Sequence, residues 1–218
     1  MRKFLIILFC CGLFACESKE EREAKKIELE EAQNKRIELA KYKKDSLMRA
    51  DSLHQVFIKE QELIAFDNLN FGMSENEARK IKKSSYSIGE YNYFFYPSFY
   101  EDKLYFVELR TTDVTANYVD NKLNLQWENL KSTIKEKYGE PIESNGYPSF
   151  FSFEPGYVRF TDKWQIGNKS IVLYVGEESS GSTYYTGVWI YDKPSYEKKE
   201  ASDKKVLESK TSKDANLF

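Results

Sequence analysis

Hydrophobic and polar residues divide the 218-residue chain into four regions of different character. Residues 1–15 contain an apolar run, residues 16–66 are dominated by charged side chains, and residues 67–193 are rich in aromatic ones. Residues 194–218 are polar again and hold few side chains that could form a core. The pattern predicts one folded domain at 67–193, preceded by a charged segment and followed by a disordered polar tail.

The charged region predicts a long helix surrounded by solvent. Residues 17–66 contain neither Gly nor Pro and are rich in Glu, Lys, Ala and Leu, which favour helix. Opposite charges recur one helical turn apart, as in Glu21 with Lys25 and Glu31 with Lys35, and such pairs stabilise an exposed helix. We interpret this segment as a helical spacer.

Two alternatives remain open for the spacer. A heptad register from Leu29 to Ile64 places apolar residues at seven of eleven core positions, whereas a stable coiled coil needs nearly all of them. We therefore favour a solvated helix whose last turns contact the folded domain, with self-association as a coiled coil as the alternative. Asp45-Ser46-Leu47 suggests a break near residue 45, because Asp and Ser favour helix starts.

The folded domain has the composition of a β-rich structure. Of the 34 aromatic residues of the chain, 25 lie between Tyr86 and Tyr191, and aromatic side chains favour strands. The domain opens with Ser74 and Glu77 at the spacing of a capping box, in which each side chain satisfies the other residue's free amide. This motif predicts a short helix that ends near Lys83.

A second helix is the clearest element of the domain, because its apolar residues recur at steps of three and four and form one stripe. These residues are Leu123, Trp127, Leu130, Ile134 and Tyr138. We expect Asp120 or Asn121 to cap the start of the helix. Gly139, followed by Pro141, is predicted to end it.

Strand-like runs lie on both sides of the second helix. They are Tyr86 to Ile88, Tyr91 to Tyr96, Leu104 to Arg110, Phe150 to Phe153, Tyr157 to Phe160, Trp164 to Ile166, Ser170 to Val175 and Val188 to Tyr191. Gly167-Asn168 predicts a tight hairpin. The order helix, strands, helix, strands predicts an α+β fold with an antiparallel sheet. A repeated helix-plus-strands unit, beginning near Met73 and near Leu125, is an open alternative.

Alternation within two strands predicts which side chains face the core. In the third run, Tyr105, Val107 and Leu109 are expected on one face, and Leu104 with Phe106 on the other. The run from Tyr91 to Tyr100 holds more rings than one strand face can bury. Tyr91, Tyr93 and Phe95 are predicted on one face, and Phe94 and Tyr96 on the other. We interpret these rings as core with a tyrosine rim; the alternative is an exposed patch that binds a glycan or a protein partner.

Charge and histidine content exclude several function classes. The chain holds 33 basic and 35 acidic residues, so no strong field would attract nucleic acid, and we expect no nucleic-acid partner. His54 is the only histidine and lies in the charged helix, where we expect a solvated residue. A hydrolytic triad or a metal centre usually needs a histidine beside other polar groups. We therefore predict no catalytic, cofactor-binding or metal-binding residue.

Paired carboxylates are the one remaining catalytic alternative, because glycosidases need only two of them. The candidates in the domain are Glu101, Asp102, Glu108, Asp113, Glu140 and Glu154. Nothing in their spacing marks two as facing each other. We expect a non-catalytic protein and keep a hydrolase that uses paired carboxylates as the alternative.

The start of the chain has the layout of a leader for export. Arg2 and Lys3 precede an apolar run from Phe4 to Phe14, and Ala15 stands before Cys16. The run of eleven residues is shorter than the roughly 20 that a membrane-spanning helix needs. Apart from Cys10 and Cys11, which lie in the run, Cys16 is the only cysteine, so cleavage before it leaves one thiol and no disulfide.

Leu13-Phe14-Ala15-Cys16 resembles the lipobox of bacterial lipoproteins. The resemblance implies a signal peptide at 1–15, cleavage before Cys16, a diacylglycerol on its thiol and fatty acyl chains such as palmitate. Glu17-Ser18-Lys19-Glu20-Glu21 resembles the acidic export signal of Bacteroidota lipoproteins. That resemblance implies a protein that its lipid holds in the outer membrane, and it favours the cell surface over the periplasmic face.

Two segments of the folded domain carry another resemblance. Phe71-Gly72-Met73-Ser74 and Lys137-Tyr138-Gly139-Glu140-Pro141 are similar to segments of small assembly lipoproteins of the SmpA/OmlA kind.

Together these features predict a membrane-anchored lipoprotein of the bacterial cell envelope. Its lipid would be attached at Cys16, and the domain at 67–193 would serve for binding or as a scaffold. A surface module that binds glycans through exposed aromatic residues is the first alternative, and the hydrolase is the second.

Overall fold

The computed structural model describes residues 19–215, with side chains described as far as residue 211. The predicted signal peptide and the lipidation site at Cys16 lie outside the described residues. The chain separates into two units, one ending at His54 and one beginning at Gln55.

Helix α1 (Lys19–Leu63) accounts for the described part of the first unit and continues into the second. None of its side chains is buried, and apolar residues such as Ile37 and Leu47 are exposed. The predicted break near residue 45 is wrong. Asp45 and Ser46 continue the helix, because each costs only some tenths of a kcal/mol more than Ala inside a helix and strong helix formers surround them.

The second unit contains three further helices and two sheets within the described residues. Its helices are α2 (Glu75–Ile81), α3 (Asn124–Tyr138) and α4 (Lys193–Ala215). The small sheet pairs β1 (Ile64–Phe66) with β2 (Leu69–Asn70). The strands of the larger sheet are β3 (Ser85–Ile88), β4 (Tyr91–Tyr100), β5 (Lys103–Thr111), β6 (Val114–Thr115), β7 (Glu143–Ser144), β8 (Val158–Ile166), β9 (Lys169–Glu177) and β10 (Thr183–Asp192).

The larger sheet is antiparallel, with the order β3-β4-β5-β10-β9-β8-β7 and β6 beside one end of β10. The predicted α+β fold is confirmed. Strands β3 to β5 follow α2 as one meander, strands β8 to β10 follow α3 as another, and the last strands β5 and β10 pair in the middle. This order matches the repeated helix-plus-strands unit that the sequence suggests.

One face of the larger sheet, here named the core face, packs against α3. The predicted apolar stripe of α3 is confirmed, since Trp127, Leu130 and Ile134 are buried among residues of the sheet such as Leu173 and Val188. The capping box of α2 and the hairpin between β8 and β9 are also confirmed. No helix within residues 19–215 is both long enough and apolar enough to cross a membrane.

Helix α3 starts differently from the prediction. A π-helical turn, Val119–Leu123, leads directly into it, so Asp120 and Asn121 lie inside helical backbone and do not cap it. Burial explains the difference, because Val119 and Leu123 are both fully buried and their burial holds this turn against the domain.

Three predicted strand details are also wrong. Phe150–Ser152 forms a 3₁₀ turn, in which Phe150 packs on Tyr184 without joining a ladder. The two runs predicted at Tyr157 to Phe160 and Trp164 to Ile166 form the single strand β8, with a bulge between Phe160 and Asp162. Leu104 lies in the core with Val107, because the pairing between β4 and β5 skips one residue and reverses the alternation there.

The tail that was predicted to be disordered is helix α4. Asp192 begins it, since its carboxylate accepts hydrogen bonds from the backbone N–H of Ser195 (3.1 Å) and from the hydroxyl of the same residue. Tyr196 then packs on Tyr191 with 4.6 Å between ring centroids. The polar composition of the segment gives no sign of this helix, because only its first turn packs on the sheet through an apolar side chain.

Candidate binding site on the aromatic face of the sheet

The second face of the larger sheet, opposite the core face, is covered with rings, and we call it the aromatic face. Alternation along β10 explains it, because Val188 and Ile190 point into the core while Trp189 and Tyr191 point the other way. The register of the neighbouring strands adds further rings to the same surface. The rings of this face are Phe94, Tyr96, Phe106, Phe160, Tyr174, Tyr185, Trp189 and Tyr191.

Trp189 is the centre of this surface. Its ring centroid lies 5.0 Å from that of Phe160, 5.2 Å from that of Tyr174 and 5.8 Å from that of Phe106. Tilted and edge-on pairs at such distances each contribute about 0.5–1.5 kcal/mol beyond burial. Rings from four strands therefore form one continuous and mutually supported patch.

Two glycines let tyrosine rings lie close against the strands. A Cβ atom at Gly176 would come within 2.7 Å of Cζ of Tyr185. A Cβ at Gly187 would overlap the phenol of Tyr174 and would lie 2.9 Å from the carbonyl oxygen of Leu109. Because glycine has no side chain, the rings of Tyr185 and Tyr174 can occupy this space and lie directly against the backbone.

Two charged residues are held within the aromatic face. Glu108 accepts hydrogen bonds from the hydroxyl of Tyr174 and from Nε1 of Trp189 (3.3 Å). Burial and the neighbouring carboxylate of Glu108 raise the pKa of Tyr174, so this phenol remains a donor. The guanidinium of Arg110 lies 3.6 Å from the ring centroid of Tyr185, which is a cation–π contact.

At one end of the aromatic face the rings form an open cleft of about 280 Å³. Phe160, Trp189 and Tyr191 form its floor, and Tyr196 of α4 adds a ring at its side. Burial raises the pKa of Tyr196 to about 12, and nearby Glu200 adds to the effect. Polar groups also line the cleft: Glu143, Asn145, Thr161, Asp162 and Lys163. We call this site the aromatic cleft.

The rings that the sequence singled out divide as predicted. Tyr93 and Phe95 are buried in the core, whereas Phe94 is 46% and Tyr96 is 48% exposed. The predicted alternation along β4 is therefore confirmed. Only the second pair belongs to a surface, and it lies on the same face as Trp189.

Most of the candidate carboxylates already have partners. Glu101 and Asp102 form the turn between β4 and β5, both with positive φ. Asp102 also accepts a hydrogen bond from the N–H of Glu75 (3.1 Å). Three further carboxylates form ion pairs: Asp113 with Arg110 (2.9 Å), Glu140 with Lys135 (2.6 Å) and Glu154 with Arg159. With the contacts of Glu108 described above, five of the six carboxylates have a polar partner within the domain.

The remaining candidate chemistry is sparse. His54 is exposed on α1. Among residues 19–215, no group of three or more His, Cys, Asp or Glu side chains is placed to hold a metal ion.

The aromatic cleft is not visible in the sequence, because its rings come from β8, β10 and α4. One local signal was available: Tyr185, Trp189 and Tyr191 all occupy alternate positions of β10, on the side opposite Val188 and Ile190. The contribution of Phe160 and Tyr196 depends on strand register and on the docking of α4, which no local pattern encodes.

Comparisons with known proteins do not assign the chain to a family. No protein-family model matches it, and searches of curated proteins and of solved structures give no match.

Proposed function

We propose that the protein is a lipoprotein of the bacterial cell envelope whose domain binds a glycan in the aromatic cleft without catalysing a reaction. Acyl chains on Cys16 hold it to the outer membrane, with the domain exposed at the cell surface. Helix α1 is the spacer between the anchored cysteine and the domain. The observation that carries the binding role is the cleft formed by Phe160, Trp189, Tyr191 and Tyr196.

The chemistry of the aromatic cleft favours a sugar as its ligand. A pyranose ring has one flat face of C–H groups, which stacks on aromatic rings, and a rim of hydroxyl groups, which need hydrogen-bond partners. Phe160, with 47% of its surface exposed, supplies a ring that a sugar can reach. Asn145 and Lys163 line the same cleft and supply donors, and Glu143 supplies an acceptor. A few polar groups around an apolar floor are typical of small-molecule sites.

Two sequence features near the start of the chain support the anchor. Leu13-Phe14-Ala15-Cys16 provides the lipobox, and the acidic segment after it provides the export signal. Each buried CH₂ of an acyl chain contributes about 0.8 kcal/mol, so more than one chain is needed for firm retention. A domain held in this way meets polymers of its surroundings at high local concentration, which suits a weak glycan site.

Binding is tested on the full chain with an array of bacterial and host oligosaccharides, and each hit is then measured by calorimetry. We expect at least one oligosaccharide to bind, and Trp189→Ala and Phe160→Ala each to weaken its affinity tenfold or more. Phe151→Ala is the matched control, because Phe151 is 95% exposed and does not line the cleft. Retained affinity in both cleft variants, or binding of apolar peptides alone, would contradict a glycan site.

The anchor is tested by growing cells with a labelled fatty acid. We expect the label in the wild-type protein and none in Cys16→Ala, which remains unprocessed or leaves the membrane. Added protease should digest the domain in intact cells if it lies at the surface. Label that still enters Cys16→Ala would rule out the anchor and would leave the glycan site unaffected.

A further inference from the structure

A second cavity lies on the core face of the sheet, away from the aromatic cleft. It has a volume of about 140 Å³ and a mostly apolar lining from β1, α3 and the core face, including Ile64, Leu130, Ile134 and Val188. Lys169 and Lys137 also line it. The position of Lys169 is unusual, because lysine is almost never fully buried without a partner.

Lys169 is buried with only 2% of its surface exposed. Its Nζ donates hydrogen bonds to the carbonyl oxygen of Ile64 (2.7 Å) and to the hydroxyl of Tyr138 (3.0 Å). In its protonated form, the lysine ammonium has three N–H groups, so these two acceptors leave one N–H available. In the part of the chain that the structure describes, Lys169 forms no ion pair with a carboxylate.

Two basic residues, Lys169 and Lys137, and one acidic residue, Asp67, line the cavity. Burial, with the nearby positive charge of Lys137, lowers the pKa of Lys169 to about 7. Burial raises the pKa of Tyr138 to about 12, so its hydroxyl stays neutral. The carboxylate of Glu62 accepts a hydrogen bond from the backbone N–H of Asn168 (3.1 Å) in the adjoining turn.

We propose that this cavity binds a small monocarboxylate with an apolar body of about six carbon atoms, and that its carboxylate accepts a hydrogen bond from Nζ of Lys169. The size follows from the volume, since an apolar cavity of about 150 Å³ accommodates benzene. The charge follows from the buried Nζ of Lys169, with Lys137 as a second basic residue in the lining. The site is separate from the aromatic cleft and does not depend on the proposed function.

The test compares three probes of equal length: hexanoate, hexanol and hexylamine. Binding to the full chain is followed by NMR at about pH 6, below the pKa of Lys169, through the methyl signals of Ile64, Ile134 and Val188. We expect hexanoate to shift these signals with an affinity about tenfold above that of hexanol, as a charged hydrogen bond in a buried site would give. Hexylamine should bind most weakly, because its charge repels both lysines.

Variants separate the role of the amine from that of the apolar lining. Lys169→Met should remove the preference for hexanoate over hexanol, and Lys137→Met, which alters a residue at the surface, should reduce it several-fold without threatening the fold. Lys163→Met, in the aromatic cleft, is the matched control and should leave the preference unchanged. The pKa of Lys169, followed through its ε-methylene signals, should rise when hexanoate is bound.

Three results would overturn the proposal. These are equal affinity for hexanoate and hexanol, an unchanged preference in both Lys169→Met and Lys137→Met, and the absence of any shift in the cavity methyl signals at saturating hexanoate. In each case Lys169 would serve only to join Ile64 and Tyr138.

Discussion

The core face and the aromatic face of one sheet both carry tryptophan and tyrosine, but they differ in what covers them. On the core face, α3 and the segment around β1 cover the strands, and Trp164 is almost completely buried. On the aromatic face, α4 reaches only one end, and Phe94, Tyr96 and Phe160 stay about half exposed. Ring content alone therefore does not identify a core. The covering element decides whether a ring stabilises the fold or remains available to a ligand.

The largest expected difference between the faces concerns two tryptophans. Trp164→Ala should lower the free energy of unfolding by about 3–5 kcal/mol, because it leaves a cavity in the core and removes the hydrogen bond from Nε1 to the carbonyl of Gly139. Trp189→Ala should cost clearly less, since its ring is only partly buried. Denaturant unfolding measures both values. Equal losses would show that the aromatic face is as well covered as the core.

A cation on the core face should make stability depend on pH. The pKa of Lys169 is about 7 in the folded state, below its ordinary value of 10.5, so above pH 7 the unfolded chain binds more protons than the folded one. Stability should therefore rise with pH, by about 2–3 kcal/mol between pH 7 and pH 9, at roughly 1.4 kcal/mol per unit.

Urea unfolding at several pH values checks this dependence. Lys169→Met should remove the rise, while Lys163→Met, which alters an ion-paired lysine on the aromatic face, should keep it. A rise of the same size in Lys169→Met would show that another group titrates.

An intermediate effect is expected where a ring lies against the backbone of the aromatic face. Gly187→Ala should destabilise the fold by about 1–3 kcal/mol, because the new methyl group overlaps the phenol of Tyr174. In a Tyr174→Leu background the same substitution should cost less. A double-mutant cycle from thermal unfolding gives the difference. Identical costs in both backgrounds would mean that the ring can move away freely.

The smallest effect is expected at Phe94 of β4, which is half exposed on the aromatic face. Phe94→Ala should change the free energy of unfolding by no more than about 0.5 kcal/mol, as for most surface positions. Phe95→Ala, one residue further on and in the core, should cost about 3–5 kcal/mol. A loss above 2 kcal/mol for Phe94→Ala in chemical denaturation would indicate that this end of the aromatic face is covered.

The sequence predicted those parts of the fold that depend on local patterns. Ser74 with Glu77, the apolar stripe of α3 and the Gly167-Asn168 hairpin each involve residues close in sequence, and each is confirmed. The α+β class followed from the order of these elements. The predictions for Leu104 and Asp120 were wrong because they depend on tertiary packing. A bulge between β4 and β5 turns Leu104 into the core, and the burial of Val119 and Leu123 starts the helical backbone before Asp120.

The candidate site was less predictable, for a related reason. The alternation of Phe94 and Phe95 was visible in one strand, but the aromatic cleft needs Phe160, Trp189 and Tyr196, which are distant in sequence. Their proximity depends on strand order and on the docking of α4. Nothing in the sequence marks Lys169, because its burial beside Ile64 and Tyr138 is a property of the packed domain.

The position of Tyr196 on α4 has a consequence for how the cleft could diversify. The floor is fixed by the hydrogen-bonded ladder of β8, β9 and β10, whereas this flanking ring comes from the first turn of a separate helix. Substitutions in that turn would widen or narrow the opening while every rung of the ladder stays intact. Exchange of a single helical turn would thus change the dimensions of the cleft without any change in the sheet.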